Sequence, residues 1–179
     1  MRKRASSSAV LPTSLDASSP AALRASDAAT AKFAEDFSSR FGAGFYRSGP
    51  AGLSLSSIGI GTYLGECVDA EDERYADTVA GALASGVNVL DTAINYRCQR
   101  SERAVGSGIE RALAAGAVTR DQVVVCTKGG YVPLDDAPPP SREHYRDYLK
   151  REFFDTGVLT PDDERSAREN VHRLPDIEG

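Results

Sequence analysis

The stretch from Asp69 to Thr127 alternates between two hydrophobic periods, and that alternation constrains the fold more than any single residue. Ala76, Val79, Ala80 and Leu83 recur at i, i+3, i+4 and i+7, the spacing of one buried helical stripe. Asp69 is placed to cap that helix and Gly86 to stop it in the left-handed conformation. "VNVL", Val87–Leu90, is then a short run of the kind found in strands covered on both faces. The cycle repeats. Ser101 is placed to cap a second helix with Val105, Ile109, Ala112 and Leu113 inward, Gly116 ends it, and "VVVCT", Val123–Thr127, is the next strand. With the apolar piece Ser57–Gly61 ahead of both, the order is strand, helix, strand, helix, strand, the signature of parallel βα units in an α/β protein.

The flanks read differently. "FYRS" and "LSLSS" are short extended pieces joined by "GPAG", which predicts a hairpin. A further helix is expected over about Arg142–Asp155, with Tyr145, Leu149 and Phe153 at four-residue spacing and Gly157 behind it. The first 32 residues are Ser/Ala-rich and basic at the start, superficially like an organelle transit peptide, and are expected to be a disordered tail. Residues 33–160 would form the folded part, and 161–179 a polar tail that does not continue the pattern.

Three chemical features fall at equivalent places in the repeat. Gly61-Thr62 follows the first strand, Asp91 ends the second, and Lys128 ends the third. In parallel βα folds the C-terminal ends of the strands open onto one face, where sites are built. Asp91, Lys128 and Tyr96, just behind Asp91, are therefore expected to converge. Such a trio suits proton donation by a phenol: free tyrosine titrates near pH 10, and a neighbouring ammonium favours the phenolate. A carboxylate beside the ammonium would hold it charged and in position. Tyr96 would then protonate a carbonyl oxygen while a nicotinamide or flavin delivers hydride, which no side chain can do. Taken singly, each residue also has a plainer reading: a turn cap for Asp91, packing for Tyr96, a solvated or phosphate-facing amine for Lys128. "GIGTYLG" raises a rival, the glycine fingerprint of dinucleotide-binding turns, but its third glycine, Gly65, comes one position late and the helix starts only near Ala70.

"IGIGTYLG", "GVNVLDTAINY", "SERAVGSGI" and "VVVCTKGG" resemble, in order and spacing, the N-terminal half of the aldo-keto reductase family, over roughly Phe45–Gly130. The resemblance implies a (β/α)8 barrel of the TIM type closed at its base by a hairpin, NADP(H) as cofactor, and reversible reduction of aldehydes or ketones to alcohols. On it, Tyr96 is similar to the general acid, with Asp91 and Lys128 its tuning partners, while Gly61, Thr62, Asp91 and Lys128 line the cofactor. Glu102 looks like the family's helix-start glutamate, a structural residue. The family's fourth catalytic residue is a histidine ending the fourth strand; here the late candidate is His172, behind "DDERSAR" and no strand-like run. A full barrel takes about 250 residues. The 179 residues here predict an incomplete one, a hairpin plus about three βα units, truncated and without turnover on its own. The alternatives are a non-catalytic binding or regulatory relative and a gene fragment.

Composition narrows the partners. An excess of 26 acidic over 21 basic residues, net −5, argues against a nucleic-acid surface. No apolar run approaches the roughly 20 residues of a membrane-spanning helix. Three cysteines without a C-x-x-C pair and two histidines offer no zinc-type ligand cluster, and read as reduced thiols in the cytoplasm. The expected small-molecule partner is a carbonyl compound or its alcohol, its identity open, as is the oligomeric state.

Overall fold

A computed structural model describes residues 24–160 together with 162, 163 and 165. The chain divides after Asp136 into two compact units. In the first, helix α1 (Asp27–Asp36) precedes an antiparallel hairpin of β1 (Tyr46–Ser48) and β2 (Ser54–Ser56). Then β3 (Ile60–Gly61), α2 (Asp69–Ala84), β4 (Val89–Asp91), α3 (Arg100–Ala114) and β5 (Val124–Cys126) form two successive parallel units, with sheet order β3-β4-β5. Among the described residues these strands form no closed barrel.

The expected helical stripes meet in one core. Val79, Leu83, Val105, Ile109 and Ala112 pack with Leu90 of β4 and with Val123, just ahead of β5, and Ala80 and Leu113 lie half-buried against them. The two helices approach so closely at Gly108 that an added Cβ would lie 2.6 Å from Val79 Cβ and 2.7 Å from the Ala76 carbonyl oxygen. Gly86 does end α2 in the left-handed region, at φ +100°, and a side chain there would strike the Phe37 and Phe41 rings.

Three local expectations are corrected. Asp69 is the first residue of α2 and Val68 the cap position; the Asp69 carboxylate pairs with Arg100, 3.0 Å away, so its partner is another helix. Ser101 lies inside α3, whose N-cap is Gln99 in a left-handed conformation. The tail reading of residues 1–32 fails over its last part. Residues 1–23 lie outside the described residues, but Asp27–Asp36 is helical, with Ser26 accepting a hydrogen bond from the Ala29 amide. Phe33, 1% exposed, joins the core and stacks toward Phe37 and Tyr46, so one buried ring anchors an otherwise small, polar segment.

The base of the sheet is latched by Asn88, which is fully buried. Its Oδ1 accepts from the Ser56 amide at 2.9 Å, and its Nδ2 donates to the Ser54 carbonyl at 2.9 Å and the Gln122 carbonyl at 3.3 Å. One side chain thus joins the hairpin to the starts of β4 and β5.

The second unit, from Ala137 onward, holds α4 (Arg142–Leu149), capped by Ser141, and a π-helical turn at Lys150–Phe154. The expected helix over Arg142–Asp155 is therefore present, although neither element buries a residue. The chain divides at 136/137, well before the expected end of the folded part at 160. Of the expected tail 161–179, only residues 162, 163 and 165 are described.

Asn88→Ala would leave the buried Ser56 amide and the half-buried Ser54 and Gln122 carbonyls without this partner at once. We expect a loss of about 2–4 kcal/mol in urea unfolding. A loss well under 1 kcal/mol would mean that the hairpin is held by its other contacts, the aromatic rings and the bonds of Tyr46 to Gly86 and Ser54 to Thr30.

Candidate active site

The register of the sheet sets the geometry. Gly61, Asp91 and Cys126 form one row across the strands. Pairing continues beyond the strand ends: the Thr92 amide donates to the Cys126 carbonyl at 2.8 Å and the Ile94 amide to the Lys128 carbonyl at 3.2 Å. Lys128 is thereby drawn alongside the segment that leads from Asp91 to Tyr96. Its Nζ donates to Asp91 Oδ1 at 2.9 Å and to the Thr92 carbonyl at 3.0 Å. The same ammonium sits 4.6 Å from the centre of the Tyr96 ring. Asp91, Tyr96 and Lys128, separated in sequence, do meet at the C-terminal end of the sheet.

The two remaining expected residues behave differently. Gly61 ends β3 with open space where a Cβ would stand. Thr62 is fully buried, and both its amide and its hydroxyl donate to the Asp91 carbonyl, each at 3.1 Å. Its side chain is turned to the backbone that carries the carboxylate. His172 lies outside the described residues.

Supporting residues appear that sequence reasoning assigned elsewhere or passed over. Ser101, read as a cap, is buried and donates from Oγ to the Thr62 carbonyl at 2.6 Å, tying α3 to the first loop. Glu102 accepts a hydrogen bond from the Thr127 hydroxyl, next to Lys128. Tyr63 meets Tyr96 edge to face at 5.0 Å. The signal for Tyr63 was an aromatic directly after a strand end, where burial in the sheet is over. Tyr63, Leu64 and Tyr131 all lie exposed on loops leaving that end.

Asp91 and Lys128 keep 51% and 48% of their side chains exposed. A pair this wet contributes little to stability. It does bias protonation: the Asp91 hydrogen bond, with a smaller one from Tyr96, holds the Lys128 amine above its ordinary titration range. The ammonium therefore stays charged through neutral pH. Chemically the arrangement is a phenol, an ammonium fixed against its face, and a carboxylate fixing the ammonium, with room over Gly61.

The chain is thus a parallel βα protein with this trio at the C-terminal end of its sheet. Residues 57–157 match the model of the aldo/keto reductase family, and the chain belongs to that family. It is 35% identical over 78 residues to an NADPH-dependent D-xylose reductase of Meyerozyma guilliermondii, covering 44% of this chain and 22% of that protein. It is 41% identical over 75 residues to an aldo-keto reductase of Mycolicibacterium smegmatis, covering 42% of this chain and 22% of that one. The matched stretch thus spans about a fifth of each relative's length.

Because the raised lysine pKa comes first from Asp91, the contact favours the folded chain below the lysine's unfolded titration range and fades as pH rises through the folded one. Asp91→Asn should move the Lys128 titration downward, read from its ε-methylene NMR shift against pH. An unmoved midpoint would refute the assignment.

Proposed function

We propose that this chain carries the proton-donating part of an NADP(H)-dependent oxidoreductase site that converts aldehydes or ketones to alcohols. The observation that supports this best is the Lys128 ammonium held by Asp91 against the Tyr96 ring, beside open space at Gly61 and Gly129. Those residues fit the reacting end of a nicotinamide cofactor, with Lys128 and Asp91 as its polar neighbours and Gly61 leaving room for a flat ring. The relative from Meyerozyma guilliermondii is named for NADPH, which favours that cofactor here. The bound nicotinamide would supply the hydride.

Tyr96 donates its hydroxyl proton to the carbonyl oxygen as negative charge develops there. The Lys128 ammonium stabilises the phenolate that remains, and Asp91 keeps the ammonium in place. We read β3, β4 and β5 as the first strands of a (β/α)8 barrel. Three parallel strands do not close such a barrel, so water reaches the site and weakens each of these charges. The chain by itself is expected to show no turnover. Its three free thiols suit a reducing cytoplasm, the compartment we assign, and among the described residues no helix is long and apolar enough to cross a membrane.

The test is a graft. Residues 57–157 replace the matching segment of the Meyerozyma guilliermondii reductase, and saturable NADPH fluorescence shows that the barrel has closed. The graft should then reduce an aldehyde with NADPH, and Tyr96→Phe should lower kcat by about 10²–10⁴-fold with NADPH binding kept. A Tyr96→Phe graft as active as its parent would end the proposal.

A further inference from the structure

The loops leaving β3 and β4 bring two of the three thiols together. Cys67 lies half-buried between β3 and α2, and Cys98 lies buried between β4 and α3. Arg97, beside Cys98, clamps the chain on both sides of Cys67. Its Nε and Nη2 donate to the Glu66 carbonyl at 2.9 and 2.8 Å, and Nη2 reaches the Val68 carbonyl at 3.5 Å and Asp72 Oδ1 at 2.6 Å. Arg97, Cys98 and Gln99 are all left-handed, at φ +48°, +54° and +69°. Three successive non-glycine residues adopt that conformation only where surrounding contacts impose it. Here the Asp136 amide donates to the Cys98 carbonyl at 3.0 Å and Gln99 Nε2 to the Leu134 carbonyl at 2.9 Å. Arg97, next to Cys98, thus grips the carbonyls on either side of Cys67, and the Cys98 thiol lies near enough to feel the charge of Cys67.

We propose that Cys67 and Cys98 form a dithiol–disulfide site that exchanges with small disulfides of the glutathione class. Cys67, which reaches solvent, meets the incoming disulfide: as a thiolate, its own proton lost to water, it attacks one sulfur and expels one glutathione thiolate. Cys98 then loses its proton, attacks Cys67 Sγ and expels the second. Two protein thiols are oxidised and one disulfide is reduced to two thiols. The order follows from the environment. Burial first, then the charge of Cys67, push the Cys98 thiol up to about 11, so it waits protonated. Once Cys67 carries glutathione its charge is gone, which eases ionisation of Cys98 when it must attack. The bond would join the loop bearing Tyr63 to the loop bearing Tyr96, whose rings already touch. Cys126, exposed at the end of β5, has no part in it.

The full chain is equilibrated in glutathione buffers of rising oxidised fraction, quenched by alkylation and mapped without reduction. Free thiols should fall from three to one, Cys126 remaining, with the Cys67–Cys98 peptide exceeding any link to Cys126 by more than about tenfold. Cys98→Ser should halt at a glutathione adduct on Cys67. The wild-type map decides the matter even if that variant folds poorly. A lasting adduct on wild-type Cys67, links chiefly through Cys126, or three thiols still free would each overturn the proposal.

Discussion

Asn88 is the residue on which the rest of the first unit depends. Buried amides are costly unless every polar atom finds a partner, and here all of them do. The Asn88 amide donates to Ser56 Oγ, its carbonyl accepts from the Val124 amide, and its side chain spans the hairpin and Gln122. The register of β4 against β5 and the seat of the hairpin are therefore set by the same group. A one-residue slip would break both. That register, carried up three strands, is what puts Gly61, Asp91 and Cys126 in one row and Lys128 beside Tyr96.

The site at the other end is built from contacts that lock backbone as well as side chains. Ser101 holds Thr62, Thr62 holds the Asp91 carbonyl, and the Asp91 carboxylate holds Lys128. The first two residues of this chain are buried and the last two half exposed. Rigidity thus runs up from the core while the charges remain in water, where their fields are weak. The geometry is preorganised, but the dielectric is not yet that of a closed pocket.

Much of this was legible in the sequence. The helical stripes, the glycine stops, the hairpin and the convergence of Asp91, Tyr96 and Lys128 all follow from periodicity and from the common opening of parallel strands. What was not legible depends on neighbours far along the chain. Ser101 looks like a cap because a small polar residue before an apolar stripe usually is one; its hydroxyl is instead drawn to Thr62 by the approach of α3 to the first loop. Asp69 likewise answers to Arg100 and not to its own helix. The helix at Asp27–Asp36 was hidden by alanine and serine around it, although Ser26 and the Phe33–Phe37 pair at i, i+4 were there to be read. The division at Asp136 did carry a compositional signal, the three prolines Pro138–Pro140 just behind it, which the periodicity of the flanking segments does not register.

The reach of the Asn88 latch also fixes an order of assembly. Its partners lie 32 residues back at Ser56 and 34 residues away at both Ser54 and Gln122. During synthesis the hairpin can form early against α1, through the Ser54 amide to the Thr30 hydroxyl and the Phe33–Tyr46 rings, yet its side toward the sheet stays open until Asn88 emerges. Asn88 itself is not fully satisfied until Gln122 and Val124 follow. The first βα unit must therefore wait, partly open, for most of the second to leave the ribosome. Such non-local contacts are what slow folding, and helices as short as α2 and α3 are marginal by themselves, so sheet and helices settle together when the latch closes.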